Sequence, residues 1–311
     1  MRLRGRGPPA VTASSPAPGG YPGTTPGGSP APHPTTHPTP HPAPRDRVAL
    51  RWEIVVVLVV TFGTSGVRAV LRLIDALARP EPLSGQTVTL NAAQSAVRWL
   101  DPAFQLVSSA VLVAWAGLAV LLLLRHCPPA TLRPSGPVRS PGSSPDPRPA
   151  PGDSGDDAPL RLRPSRRDIL PGVGLAALIG LPGLALYLGA VALGLSRHVA
   201  AGGTGDWWSV PTLVVGAWAN GVGEEVVVVA WLATRLRQLR VPWAWIFVGS
   251  AVLRGSYHLY QGYSAGVGNI VMGLVFVWWF RRTGRVWPLI VAHGLIDTVA
   301  FVGAVALPGL G

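Results

Sequence analysis

Apolar residues run through this chain in long blocks, without the strict alternation of a half-buried strand or the one-sided stripe of a soluble helix. The blocks lie at about 52–74, 103–124, 169–195, 209–233, 243–260, 264–281 and 286–307. A helix crosses a bilayer with about 20 apolar residues. The pattern therefore predicts an all-α fold, a polytopic transmembrane helical bundle of about seven spans. Pro171 and Pro182 fall in the third block and are expected to start and kink it. Residues 81–100 are too polar to span. They set Leu90, Ala93, Val97 and Leu100 at helical spacing, which predicts an amphipathic helix lying on the membrane and brings the helices to eight.

Between the blocks the composition changes abruptly. Residues 1–47 are rich in Pro, Gly, Ser and Arg, with a His-Pro-Thr repeat from Pro32 to Pro44, and are expected to form a disordered cytoplasmic tail. His33, His37 and His41 follow that repeat and are not read as a metal site. Residues 48–126 hold the N-terminal membrane helices, 127–167 a disordered cytoplasmic linker, and 168–311 a second membrane domain. The single cysteine, Cys127, excludes an intramolecular disulfide and a cysteine-based zinc cluster. No cleavable signal peptide is expected, because the first apolar block starts only near Trp52.

Charge fits the same picture. Only 13% of residues are charged while 48% are hydrophobic, and the net charge of +12 comes entirely from arginine. The arginines cluster at the edges of the apolar blocks and in alternate loops, as positive-inside loops do, so nucleic acid is not an expected partner. Arg2 to Arg51, Arg125 to Arg167, Arg235 to Arg240 and Arg281 to Arg285 share one side. This places the N-terminus in the cytoplasm and the C-terminus outside, in the plasma membrane. Trp207, Trp208, Trp243, Trp245 and Trp287 lie near block ends, where interfacial anchors sit.

The polar residues inside the blocks carry the chemistry, because an ionisable side chain in hydrocarbon is costly unless paired or wet. In the C-terminal half these are Glu224 and Glu225, Arg254 and His258, and His293 and Asp297. Asn220 to Glu224, Arg254 to His258 and His293 to Asp297 are i, i+4 steps, so each pair shares a helical face. Three helices thus each offer a polar stripe, and facing the stripes together is the least costly arrangement. Two glutamates, two imidazoles and an aspartate around trapped water suit hydrolysis. A carboxylate can take a proton from water, a histidine can orient that water or protonate the leaving amine, and a second histidine with Asp can hold an oxyanion or a metal.

The three stripes resemble the motifs of the CPBP family (CAAX proteases and bacteriocin-processing, or Abi-like, proteins), which includes the type II CAAX prenyl endopeptidases. That pattern is Glu-Glu-x-x-x-Arg, then Phe-x-x-x-His, then His-x-x-x-Asn or Asp. Here the motifs read Glu224-Glu225-Val226-Val227-Val228-Val229, Arg254-Gly255-Ser256-Tyr257-His258 and His293-Gly294-Leu295-Ile296-Asp297. The resemblance covers about residues 165–307. It implies an intramembrane endopeptidase acting on a membrane-associated peptide or protein within the lipid bilayer. It also implies Glu224 as the base, His258 beside the water, and His293 with Asp297 at the oxyanion. Glu224, His258 and His293 could instead ligate zinc.

Two positions depart from the family pattern. Val229 stands where the family has Arg, and Arg254 where it has Phe. The pair of changes moves the cation from the fourth span to the fifth, and Arg254 is then expected as the ion-pair partner of Glu225. At about 1.5 Å per residue, His258 lies roughly 22 Å along its helix from Trp243, while Glu224 and His293 lie roughly 10–14 Å from the cytoplasmic ends of theirs. Two other functions stay open at this point: a proton-coupled transporter, and a non-catalytic immunity or scaffold protein of the same fold.

Overall fold

A computed structural model describes residues 44–126, 158–202 and 206–306. Helices fill each of the apolar blocks. α1 (Pro44–Leu58) and α2 (Thr64–Ala78) are joined by a π-helical turn at Val59–Gly63. There follow α3 (Asp101–His126) and α4 (Ile169–Ala192). Next, α5 (Ser209–Glu224) runs through a π-helical segment, Glu225–Trp231, into α6 (Leu232–Gln238). The chain closes with α7 (Trp243–His258), α8 (Tyr263–Thr283) and α9 (Trp287–Ala306).

Among the described residues, five helices are long and apolar enough to cross a membrane: Asp46–Ala78, Arg98–Arg125, Arg166–Ala192, Ser209–Gln238 and Tyr263–Thr283. The expected count of seven is thus larger than length and composition support. α7 has 16 residues, and Trp287–Gly303 is a shorter apolar helix. Both pack against the candidate spans, α7 on α8 and α2, and α9 on α5 and α4. The 209–238 rod is the most buried of the five, at 67%, against 11% for 166–192. It forms the axis around which the others gather, and Val226 to Ala233 are each 6% exposed or less.

The amphipathic helix expected at 81–100 is absent. Leu83–Gly85 and Arg98–Leu100 are single 3-10 turns, and Thr87–Leu90 is strand β1. It pairs in parallel with β2 (His198–Ala201), in a register running from Thr87↔His198 to Leu90↔Ala201. Thr87, Val88 and Thr89 are β-branched and suit an extended strand, while Pro80 and Pro82 oppose a helical start. The Gln86 side chain fastens the segment, donating to Ala76 O at 2.8 Å and to Glu81 O at 2.9 Å.

Loops gather at the two ends of the bundle. At one end, Ser196 bridges to Gly262 and Arg197 donates to Tyr260 O at 3.1 Å, beside the β1–β2 pair. At the other, Arg161 bridges to Arg285, Trp287 donates to Leu162 O at 2.6 Å, and Asp168 accepts two bonds from Arg285 at 2.5 and 2.7 Å. Residues 158–167, expected to close a loose linker, are therefore held against the α8–α9 turn. Helix α1 begins at Pro44, inside the expected tail. Residues 1–43 of that tail, and 127–157 of the linker with Cys127, lie outside the described residues.

Candidate active site

The fourth rod carries both glutamates at the point where its winding changes. Glu224 ends α5 and Glu225 opens the π-helical segment. A π turn widens the helix by one residue and is frequent at functional sites. Here two consecutive carboxylates face two different sets of partners. The Ser250 hydroxyl of α7 donates to Val228 O at 3.0 Å, bonding a carbonyl inside the π segment.

Close helix contacts bring the stripes together. A Cβ on Gly221 of α5 would lie 3.1 Å from Ile290 O and 3.2 Å from Gly294 N, and one on Gly294 would lie 2.9 Å from the Trp218 ring. Only glycine lets α5 and α9 approach so closely, and this sets His293 against Glu225. The depths of Glu224 and His258 along their helices also agree. The fourth rod runs on to Gln238, five residues beyond the expected 233, so Glu224 lies about 21 Å from its end, close to the about 22 Å of His258 from Trp243. The difference in depth between Glu224 and His258 disappears because the fourth rod is longer than its apolar pattern suggests. His293 is only about 9 Å from Trp287. Val286, just before α9, is already packed within the protein.

Arg254 donates to Glu225 Oε1 at 2.5 Å, and its other terminal nitrogen lies 3.4 Å from Glu224 Oε2. The guanidinium also sits over the Phe276 ring at 5.5 Å. His293 Nδ1 meets the same Glu225 Oε1 at 2.6 Å. An ionised carboxylate only accepts, so that ring nitrogen carries the hydrogen. His293 Nε2 then faces Asp297 Oδ2 at 3.5 Å, and Asn220 donates to the same aspartate oxygen at 3.1 Å. Glu225, Arg254 and His293 are sealed from solvent, whereas the side chains of His258 and Asp297 keep 18% and 16% of their surface. What exposure the cluster keeps is therefore greatest at His258 and Asp297.

The second glutamate has its own surroundings. Tyr257 donates to Glu224 Oε2 at 2.6 Å. His258 Nε2 is 3.9 Å from the same oxygen, too long for a hydrogen bond, and is buried without a hydrogen-bond partner among the described residues. Every residue singled out from the sequence, Glu224, Glu225, Arg254, His258, His293 and Asp297, falls in this one cluster. Tyr257 was quoted in the second motif but given no role. The signal available was its place beside His258 on α7, which alone does not say which way the phenol turns.

By residue type and spacing, Glu224, Glu225 and His293 could hold a metal, since one donor atom from each lies within 4.8 Å of the others. This differs from the trio expected from the sequence, with Glu225 in place of His258. Arg254 lies among the same three, at 2.5 Å from Glu225, 3.4 Å from Glu224 and 3.5 Å from His293 Nδ1. An ion held on Glu225 Oε1 and His293 Nδ1 would have to displace that guanidinium and break the His293–Glu225 bond. As arranged, Arg254 already supplies the positive charge at this group.

Residues 206–299 match the family model described as type II CAAX prenyl endopeptidase Rce1-like. This region is Rce1-like. The Rce1-like region contains every member of the cluster from Asn220 to Asp297, and the family it is similar to is one of membrane proteases. No curated protein and no solved structure matches the chain. Within the Rce1-like region, Val229 is fully buried in the apolar axis, and the guanidinium at the glutamate pair comes from α7.

Proposed function

We propose that the protein is an intramembrane endopeptidase that hydrolyses a peptide bond of a membrane-associated protein or peptide. The observation that supports this most is the meeting of Glu224 and His258. Their 3.9 Å separation is one that a single water oxygen, about 2.8 Å from both Glu224 Oε2 and His258 Nε2, would bridge. Glu224 takes a proton from that water as it attacks the scissile carbonyl. His258 orients the water, and the proton taken up by Glu224 passes by way of His258 to the leaving amine. The oxyanion is held from the α9 side by His293, which Asp297 and Glu225 orient, and Asn220 fixes Asp297 in turn. Arg254 neutralises Glu225, which leaves Glu224 as the carboxylate available to the substrate.

The arginine distribution supports a plasma-membrane protein with the N-terminus cytoplasmic, the C-terminus outside, and α7 and α9 counted among seven crossings. The site is then reached from within the bilayer, where a lipid-anchored or membrane-embedded peptide resides. The decisive experiment incubates the full chain in lipid nanodiscs with a quenched-fluorescence farnesylated CAAX peptide and its unprenylated counterpart. Wild type cleaves a peptide bond in the probe and Glu224→Gln does not. Equal behaviour of the two proteins would leave a scaffold of this fold as the better description.

A further inference from the structure

Glu224 has two cationic or acidic neighbours competing for it. Arg254 stands 3.4 Å from Oε2 and His258 Nε2 stands 3.9 Å from the same atom. A carboxylate beside a guanidinium gains most by closing to a direct, charge-assisted pair. It would then be a second counter-ion for Arg254, and a poor base. Glu225 makes that closure at 2.5 Å, and Glu224 does not. The contact that holds it back is the phenol of Tyr257, which donates to Oε2 at 2.6 Å. Among the described residues no hydrogen bond reaches Glu224 Oε1.

The phenol is itself fixed from outside the Rce1-like region. Its ring lies 5.1 Å from that of Phe62 and 4.8 Å from that of His258, centroid to centroid. Phe62 sits edge-on to Trp115 at 5.6 Å and belongs to the π-helical turn between α1 and α2. Tyr257 is 7% exposed and Phe62 is 4% exposed, so the ring can neither swing out nor rotate away without opening the core. Among the described residues, Tyr257 thus links two π-helical segments, the first supplying Phe62 and the second beginning just after Glu224.

We propose that Tyr257 is a positioning residue of this site: its hydroxyl holds the Glu224 carboxylate off Arg254 and beside His258, and the first helical rod sets the phenol through Phe62. The role rests on Glu224 acting as the base. The N-terminal helices, which lie outside the matched region, become part of the working site by this route.

Tyr257→Phe removes the hydroxyl and keeps the ring against Phe62, so the fold is retained. In nanodiscs, with the farnesylated peptide as probe, kcat falls about 10–100-fold while KM stays within about two-fold, the pattern of a misplaced reacting group. The exposed Tyr263→Phe serves as control and leaves both constants unchanged. A second readout does not depend on turnover. The infrared carboxylate band that disappears in Glu224→Gln shifts in Tyr257→Phe and not in Tyr263→Phe. An unshifted band, an unchanged kcat, or a rise in KM alone each overturns the role. If wild type cleaves no probe while the band still shifts, the contact stands, but the protease reading fails and the positioning role falls with it.

Discussion

Arg254 and Glu225, 29 residues apart in sequence, form an ion pair at 2.5 Å in which neither side chain touches solvent. Such a pair holds only when both charges find further partners. His293 shares the carboxylate at 2.6 Å, and the Phe276 ring backs the guanidinium at 5.5 Å. Arg254→Ala strands Glu225 in the core, and the expected loss is about 3–5 kcal/mol. Adding Glu225→Gln removes the stranded charge and recovers part of that loss. Reversible unfolding in mixed micelles measures both, and a double variant no more stable than Arg254→Ala would refute the coupling.

Glu224→Gln is nearly isosteric and can still accept a hydrogen bond from Tyr257. It is expected to leave the unfolding midpoint close to wild type while cutting the cleavage rate by about 10²–10⁴-fold, the usual share of a general base. A variant that still turns over at the wild-type rate removes Glu224 from the mechanism.

At Asp297 the motif tolerates either Asn or Asp, and the geometry gives a reason. Asn220 needs an acceptor there, at 3.1 Å, and an asparagine carbonyl supplies one. Asp297→Asn should therefore retain most activity, whereas Asp297→Ala leaves the Asn220 amide and His293 Nε2 without that partner. His293→Ala is expected to lower both activity, by about 10²–10³-fold, and stability, because it also releases Glu225. Steady-state rates for the three variants provide the check, and an Asp297→Ala enzyme equal to Asp297→Asn would count against this arrangement.

Arg254 stands where a metal would have to enter between Glu224, Glu225 and His293. Prolonged treatment with a strong chelator is accordingly expected to leave peptide cleavage unchanged. Stoichiometric zinc in the purified protein, lost in parallel with activity and restored with it, would be the contrary result.

Away from the site, Asp168 is 2% exposed and ties two pieces of chain. It accepts from Arg285 at 2.5 and 2.7 Å and from Ser165 N at 2.8 Å. Asp168→Asn weakens a two-pronged charged contact, at a cost of about 1–3 kcal/mol. Faster proteolysis within 158–168 than in wild type should accompany it, while cleavage of the membrane probe is unaffected. A digestion pattern like that of wild type would show that the contact does not restrain this segment.

Much of the site was legible in the chain because its signals are local. Asn220 and Glu224, Arg254 and His258, and His293 and Asp297 are each one helical turn apart. Reading Val229 and Arg254 together also pointed to a cation arriving from the fifth span. Residues 81–100 misled because Leu90, Ala93, Val97 and Leu100 do fit a helical period, while the strand that pairs with Thr87–Leu90 lies far along the chain at His198–Ala201. A partner so distant leaves no mark in a local pattern. The length of the fourth rod was missed for a related reason. Its last turns carry Arg235 and Arg237, which look like loop residues, yet Arg235 is fully buried against Glu53 at 2.6 Å.

The sequence by itself determined the helical rods, because a run of apolar residues long enough for a bilayer must satisfy its own backbone hydrogen bonds. It also determined which few polar groups share a helical face. Only the tertiary structure decided which carboxylate met which partner: Glu225 with Arg254 and His293, Glu224 with Tyr257 beside His258. That choice depends on how far each helix is turned about its axis. The rotation is fixed by the π-helical segment after Glu224, by the glycine contact between α5 and α9, and by Phe62 packed on Tyr257. These are sums of many weak contacts between distant segments, which no short stretch of sequence contains.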